Sequence, residues 1–70
     1  MSRREFQLIE GDSRKFWSIE LEGAAHTVQF GRIGTAGQSQ TKTFADEGRA
    51  RREADHLISE KMAKGYIEKS

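Results

Sequence analysis

The chain has 70 residues, with 12 basic and 11 acidic side chains for a net charge of +1, and it has no cysteine and no proline. A domain this short buries only about 60% of the surface its unfolded chain exposes, which leaves room for one domain around one apolar core and excludes disulfides, thiolate metal sites and cysteine nucleophiles. No stretch approaches the roughly 18 consecutive apolar residues of a membrane span, and MSRREF at the N-terminus has no apolar leader segment, so the expected location is the cytoplasm.

In chain order, REFQLIE (4–10) places Phe6 and Leu8 on one face of an extended segment, and Gly11-Asp12-Ser13 marks a turn. KFWSIELE (15–22) alternates most clearly: Trp17, Ile19 and Leu21 point to a core, while Phe16, Ser18, Glu20 and Glu22 point to the wet side. Gly23-Ala24-Ala25 leads into a third strand, HTVQFGRI (26–33), and Gly34-Thr35-Ala36-Gly37 leads into a fourth, QSQTKTF (38–44). Short turns between consecutive strands predict an antiparallel meander.

From Asp46 the period changes. Ala50, Ala54, Leu57, Ile58 and Met62 form an amphipathic helical stripe, with Asp46 as N-cap and Gly65 followed by Tyr66 as a left-handed C-terminal cap. The helix is predicted over about 46 to 64. Lys61 falls in the middle of the apolar stripe; the expectation is that its stem packs on the sheet while its ammonium reaches an acid or the carbonyls at the helix end, with a binding role as the alternative. The fold class is therefore α+β: a four-stranded antiparallel meander with one C-terminal helix packed on one face, as a single domain spanning residues 1–70.

Little in the chain suggests chemistry. His26 and His56 lie in different elements without metal-binding spacing and read as surface residues. The serines lack a nucleophile-elbow context, and Glu20 with Glu22 read as the wet side of a sheet. Gly31, Gly34 and Gly37 lack the strand-to-helix setting of phosphate loops and fit turn geometry or a close backbone approach. Arg49, Arg51 and Arg52 are interleaved with Asp46, Glu47, Glu53 and Asp55, and read as a solvated, mutually neutralised helix face, with phosphate contact as the alternative. Residues 45 to 70 carry six charges of each sign, so nucleic-acid binding requires a locally basic surface.

Phe30-Gly31-Arg32 is the remaining candidate. An aromatic ring can stack on a base or sugar, a glycine admits a neighbouring backbone, and an arginine can fork onto phosphate or carboxylate. By residue type alone, Phe30 as a core residue beside Val28 and Arg32 as a hairpin-end charge are the commoner outcome.

Read together, KFWSIEL, VQFGRIGTAGQ, KTF and an alanine-rich helix ending EKMAKGY resemble the WGR domain family, in order, from about Lys15 to Tyr66. The resemblance implies a small antiparallel sheet with a packed helix. It also implies the role the domain has in poly(ADP-ribose) polymerases, where it binds DNA breaks and relays contact to neighbouring domains. Carried over, Phe30 is the stacking group, Gly31 the spacer and Arg32 the polar anchor. Phenylalanine in place of the family's tryptophan keeps a flat ring but loses area and the indole N–H. The sequence has no zinc fingers, helical regulatory domain or transferase domain, and it is similar to free-standing bacterial WGR proteins.

The expected function is a non-enzymatic module that binds DNA rather than RNA, at ends or breaks, through Phe30, Gly31 and Arg32, with Lys15 and Lys42 as electrostatic contacts. The alternative is an adaptor that docks a partner protein with the same surface. Neither reading calls for a cofactor, a metal, a membrane or a small-molecule substrate.

Overall fold

A computed structural model describes residues 2–69. Strands β1 (Ser2–Glu10), β2 (Ser13–Glu22), β3 (Ala25–Arg32) and β4 (Gln38–Thr43) are followed by helix α1 (Glu47–Ala63) and a short β5 (Ile67–Lys69). All pairings are antiparallel, in the order β4-β3-β2-β1-β5. The expected meander is present, and the sheet gains a fifth strand. After the helix cap, the chain returns beside β1 with Glu5 opposite Lys69 and Gln7 opposite Ile67. The Arg4 guanidinium clamps the Glu68 carboxylate with two hydrogen bonds, of 2.8 and 2.7 Å. This bidentate pair holds the Glu68 carboxyl below its usual range and raises Arg4.

The register sets the two faces. Phe6, Trp17 and Phe30 form one cross-strand row, and Ile19 and Val28 belong to the next. This face carries the core of Phe6, Trp17, Ile19 and Val28, closed by Ala54 and Ile58 of the helix. Phe6 and Trp17 meet tilted, with ring centroids 5.6 Å apart. Burying side chains of this size stabilises by about 1.5–3 kcal/mol each. Fully buried Ala50 and Ala54 bring the helix backbone close to β2 and β3.

Both helix ends form as their residues predict. Asp46 is extended and its Oδ1 accepts from the Arg49 N–H at 2.9 Å. At the other end Gly65 has φ +106°, its N–H reaches the Met62 carbonyl, and the Tyr66 N–H reaches the Lys61 carbonyl at 3.0 Å, which is a Schellman cap.

Three side chains are buried or exposed against expectation. Met62 lies at the far end of the stripe, past the sheet's cover, and is 54% exposed. Ser18, expected on the wet face, is buried between its cross-strand neighbours Glu5 and Gln29. His26, expected at the surface, is 4% exposed. It shares a face with Val28 and packs its ring on Phe44, centroids 5.0 Å apart.

Candidate nucleic-acid interface

The β3–β4 hairpin explains why glycines punctuate residues 31 to 37. Ile33 donates to the Arg14 carbonyl, Thr35 closes the turn on the Arg32 carbonyl through its N–H and its Oγ1, and the Gln29 amide donates to the Ala36 carbonyl at 2.8 Å. The loop therefore curls onto the sheet face opposite the helix. A Cβ on Gly31 would stand 2.7 Å from the Gly37 Cα, and a Cβ on Gly37, at φ +70°, would overlap the Phe30 carbonyl and approach the Phe16 ring to 2.8 Å. Gly31 thus makes room for the chain's own backbone. Gly37 fills the space that a side chain there would take.

On the helix side, the same turn sets Arg32 at the end of β3, directly opposite Lys15 of β2. Like charges facing each other across strands are destabilising. Phe30, two residues back on the same face, is half-buried: part of its ring packs on the core and the rest lines the surface. Lys61 comes from the last turn of the helix and Tyr66 from just beyond its cap. Together with Phe16 and Gly31 these residues line a recess of about 310 Å³ that brings together three cations and the rings of Phe30 and Tyr66 and has no carboxylate.

Lys61 is held differently from expectation. Its ammonium meets neither an acid nor a helix-end carbonyl but lies over two aromatic rings, 5.7 Å from the Trp17 centroid and 5.4 Å from that of Tyr66. Burial first, then the charges of Lys64 and Lys15, push its pKa below the ordinary 10.5, with Glu60 opposing. The Schellman cap explains the pairing with Tyr66, because it brings the residue after the cap glycine against the residue five positions back. The sequence signals for Tyr66 and Lys61 are the cap glycine and a charge on the wrong side of the stripe.

Lys42 is not part of this recess. It stands on β4 opposite His26, with its ammonium 5.4 Å from the Phe44 centroid, and lines a second hollow shared with Phe30 and Lys61. Among the described residues the ion pairs are Arg3–Glu5, Arg4–Glu68 and His56–Glu60, so Lys15, Arg32, Lys42 and Lys61 have no carboxylate at ion-pair distance. Arg49, Arg51 and Arg52 are exposed on the helix, and none of them lines the recess. No helix among these residues is long and apolar enough to cross a membrane.

The chain matches the family model of the WGR domain over residues 2–70. It is 41% identical to the uncharacterised protein YfeS of Escherichia coli over 66 residues, which cover 94% of this chain and 27% of that protein. It is 39% identical to YehF of the same organism over 67 residues, covering 96% of this chain and 24% of YehF. The chain thus spans about a quarter of the length of these curated relatives. A crystal structure of a Bacteroides fragilis protein superimposes with a TM-score of 0.95 at 42% identity, covering 99% of this chain and 20% of the other. With its Phe-Gly-Arg signature at the end of β3, this chain belongs to the WGR domain family, binding modules that in poly(ADP-ribose) polymerases contact nucleic acid.

Proposed function

We propose that the domain binds DNA at ends or breaks, in the cytoplasm of a bacterial cell, without catalysing a reaction. The observation that carries this reading is the recess of Lys15, Arg32 and Lys61 between Phe30 and Tyr66, which lacks any carboxylate. Cations gathered without counter-charges suit a phosphate backbone, and a half-exposed ring beside them suits a terminal sugar or base. Two of the cations face each other in register, and an anion lying between them would relieve their repulsion. In this reading Phe30 stacks, Arg32 and Lys15 hold phosphate, Lys61 adds charge, Lys42 steers from the flank, and Gly31 keeps the hairpin closed beneath them.

The test is titration of labelled blunt and nicked duplexes at low salt. Binding at tens of micromolar or tighter is expected, with a loss of about tenfold or more for Arg32→Ala, since hydrogen bonds to charged groups contribute on the order of 1.5–3 kcal/mol. The fold uses the backbone carbonyl of Arg32 and no hydrogen bond from its side chain, so the variant remains folded. No binding in that range, or affinity unchanged in the variant, refutes the proposal.

The second reading is an adaptor that docks a partner protein through Phe30 and Arg32; a different surface, the exposed Ile9, Ile33 and Ile67 on the sheet face opposite the helix, also favours a docking role. Exposed isoleucines on one open face suit an apolar protein contact. Such an interface changes little with salt, whereas phosphate binding weakens steeply.

A further inference from the structure

Helix α1 packs on β2 and β3, which leaves a groove of about 320 Å³ between the helix and the outer strand β4, the size at which ligand sites begin, at roughly 300 Å³. Phe30 and Leu57 form its apolar sides, Gln40, Lys42 and Glu53 its polar rim, and His26 lies at its base. His26 is 4% exposed, and neither of its ring nitrogens has a hydrogen-bond partner. Buried polar groups are nearly always hydrogen-bonded, so an imidazole with two orphaned nitrogens beside a groove points to a partner that the folded chain does not supply.

We propose that this groove receives the base of an unpaired nucleotide whose phosphate lies in the neighbouring recess of Lys15 and Arg32. Phe30 and Lys61 line both hollows and join them. The hollows differ in chemistry. The recess has cations without carboxylates and suits an anion, while the groove carries Glu53 on its rim and suits a neutral ring with polar edges. The rim offers a donor in Lys42, an acceptor in Glu53 and both in Gln40, which is what the hydrogen-bonding edge of a base requires. The apolar sides suit its faces. A paired base has that edge occupied, so the ligand is a base freed from pairing at a strand end. Gln40 and Lys42 are exposed side chains on the edge strand, and they can swing aside to open the path to His26.

The inference rests on the DNA-binding reading for its phosphate site, and the experiment separates the two. Affinities are compared for a blunt duplex, the same duplex with one unpaired terminal nucleotide, and the same with an abasic terminal residue. The unpaired nucleotide is expected to bind at least about fivefold tighter than the abasic one, the low end of what stacking a single base contributes. Gln40→Trp, at an exposed position, fills the groove and should abolish that preference while blunt-duplex affinity stays unchanged. Equal affinity for the two ends, or a preference that survives Gln40→Trp, overturns the inference and leaves duplex binding standing.

A free nucleoside monophosphate followed by NMR distinguishes a nucleotide ligand from a strand end. Shifts at His26 and Gln40 that inorganic phosphate does not produce support the groove even if no duplex binds, and the absence of such shifts at millimolar nucleotide overturns it.

Discussion

Lys61 shows what a single residue contributes and what it costs. Its ammonium loses hydration against Trp17 and Tyr66 and is repelled by Lys64 and Lys15, so its pKa falls below 10.5. For a cation with a lowered folded-state pKa, the unfolded chain binds more protons between that value and 10.5, and stability rises with pH across the window. Denaturant melts at increasing alkaline pH should show this rise in the wild type and lose it in Lys61→Met; parallel profiles would show that the folded protein does not depress this group. The position of Lys61 on the apolar stripe was legible in the sequence. Its partners were not, because one ring comes from the sheet and the other from beyond the helix cap, and no periodicity joins them. His26 is a similar case: its place on the face of Val28 and Phe30 follows from strand alternation, yet a polar residue type suggested the surface.

The β3–β4 hairpin is the element on which the candidate site depends. Gly37→Ala would put a methyl group into the Phe30 carbonyl and against Phe16, at a positive φ that costs an L-residue roughly 1–2 kcal/mol before any clash. A stability loss of about 2 kcal/mol or more in urea melts is expected, and a loss near zero would mean that the loop does not fold back on Gly31. Strands β1 to β4 and the helix were readable because alternating apolar residues and a clear change of period specify them, and because Asp46 and Gly65 mark the helix ends. Strand β5 was not, since three exposed residues carry no pattern and owe their conformation to Arg4 and Phe6 on a strand more than sixty positions earlier. The resemblance to the WGR family singled out Phe30 and Arg32 as candidates, while the recess that unites them with Lys61 and Tyr66 exists only once helix and sheet are packed.

For the molecule as a whole, a net charge of +1 conceals an uneven surface. Three cations without carboxylate partners at one end of the sheet should give DNA binding a salt dependence of about −2.5 to −3 in log affinity against log salt, near −0.9 per neutralised phosphate. Anisotropy titrations across a salt series measure it, and Arg32→Ala should flatten the slope by about one. A slope near zero would mean that these cations do not hold phosphate. The pairing of β5 with β1 has a further consequence, one for the order of synthesis. The Arg4–Glu68 contact spans 64 positions, so during translation the meander and then the helix emerge with the outer edge of β1 uncovered. An unpaired edge is where nascent chains associate wrongly, and here it stays open until Ile67 to Lys69 have left the ribosome, which makes these three exposed residues the last step in sealing the sheet.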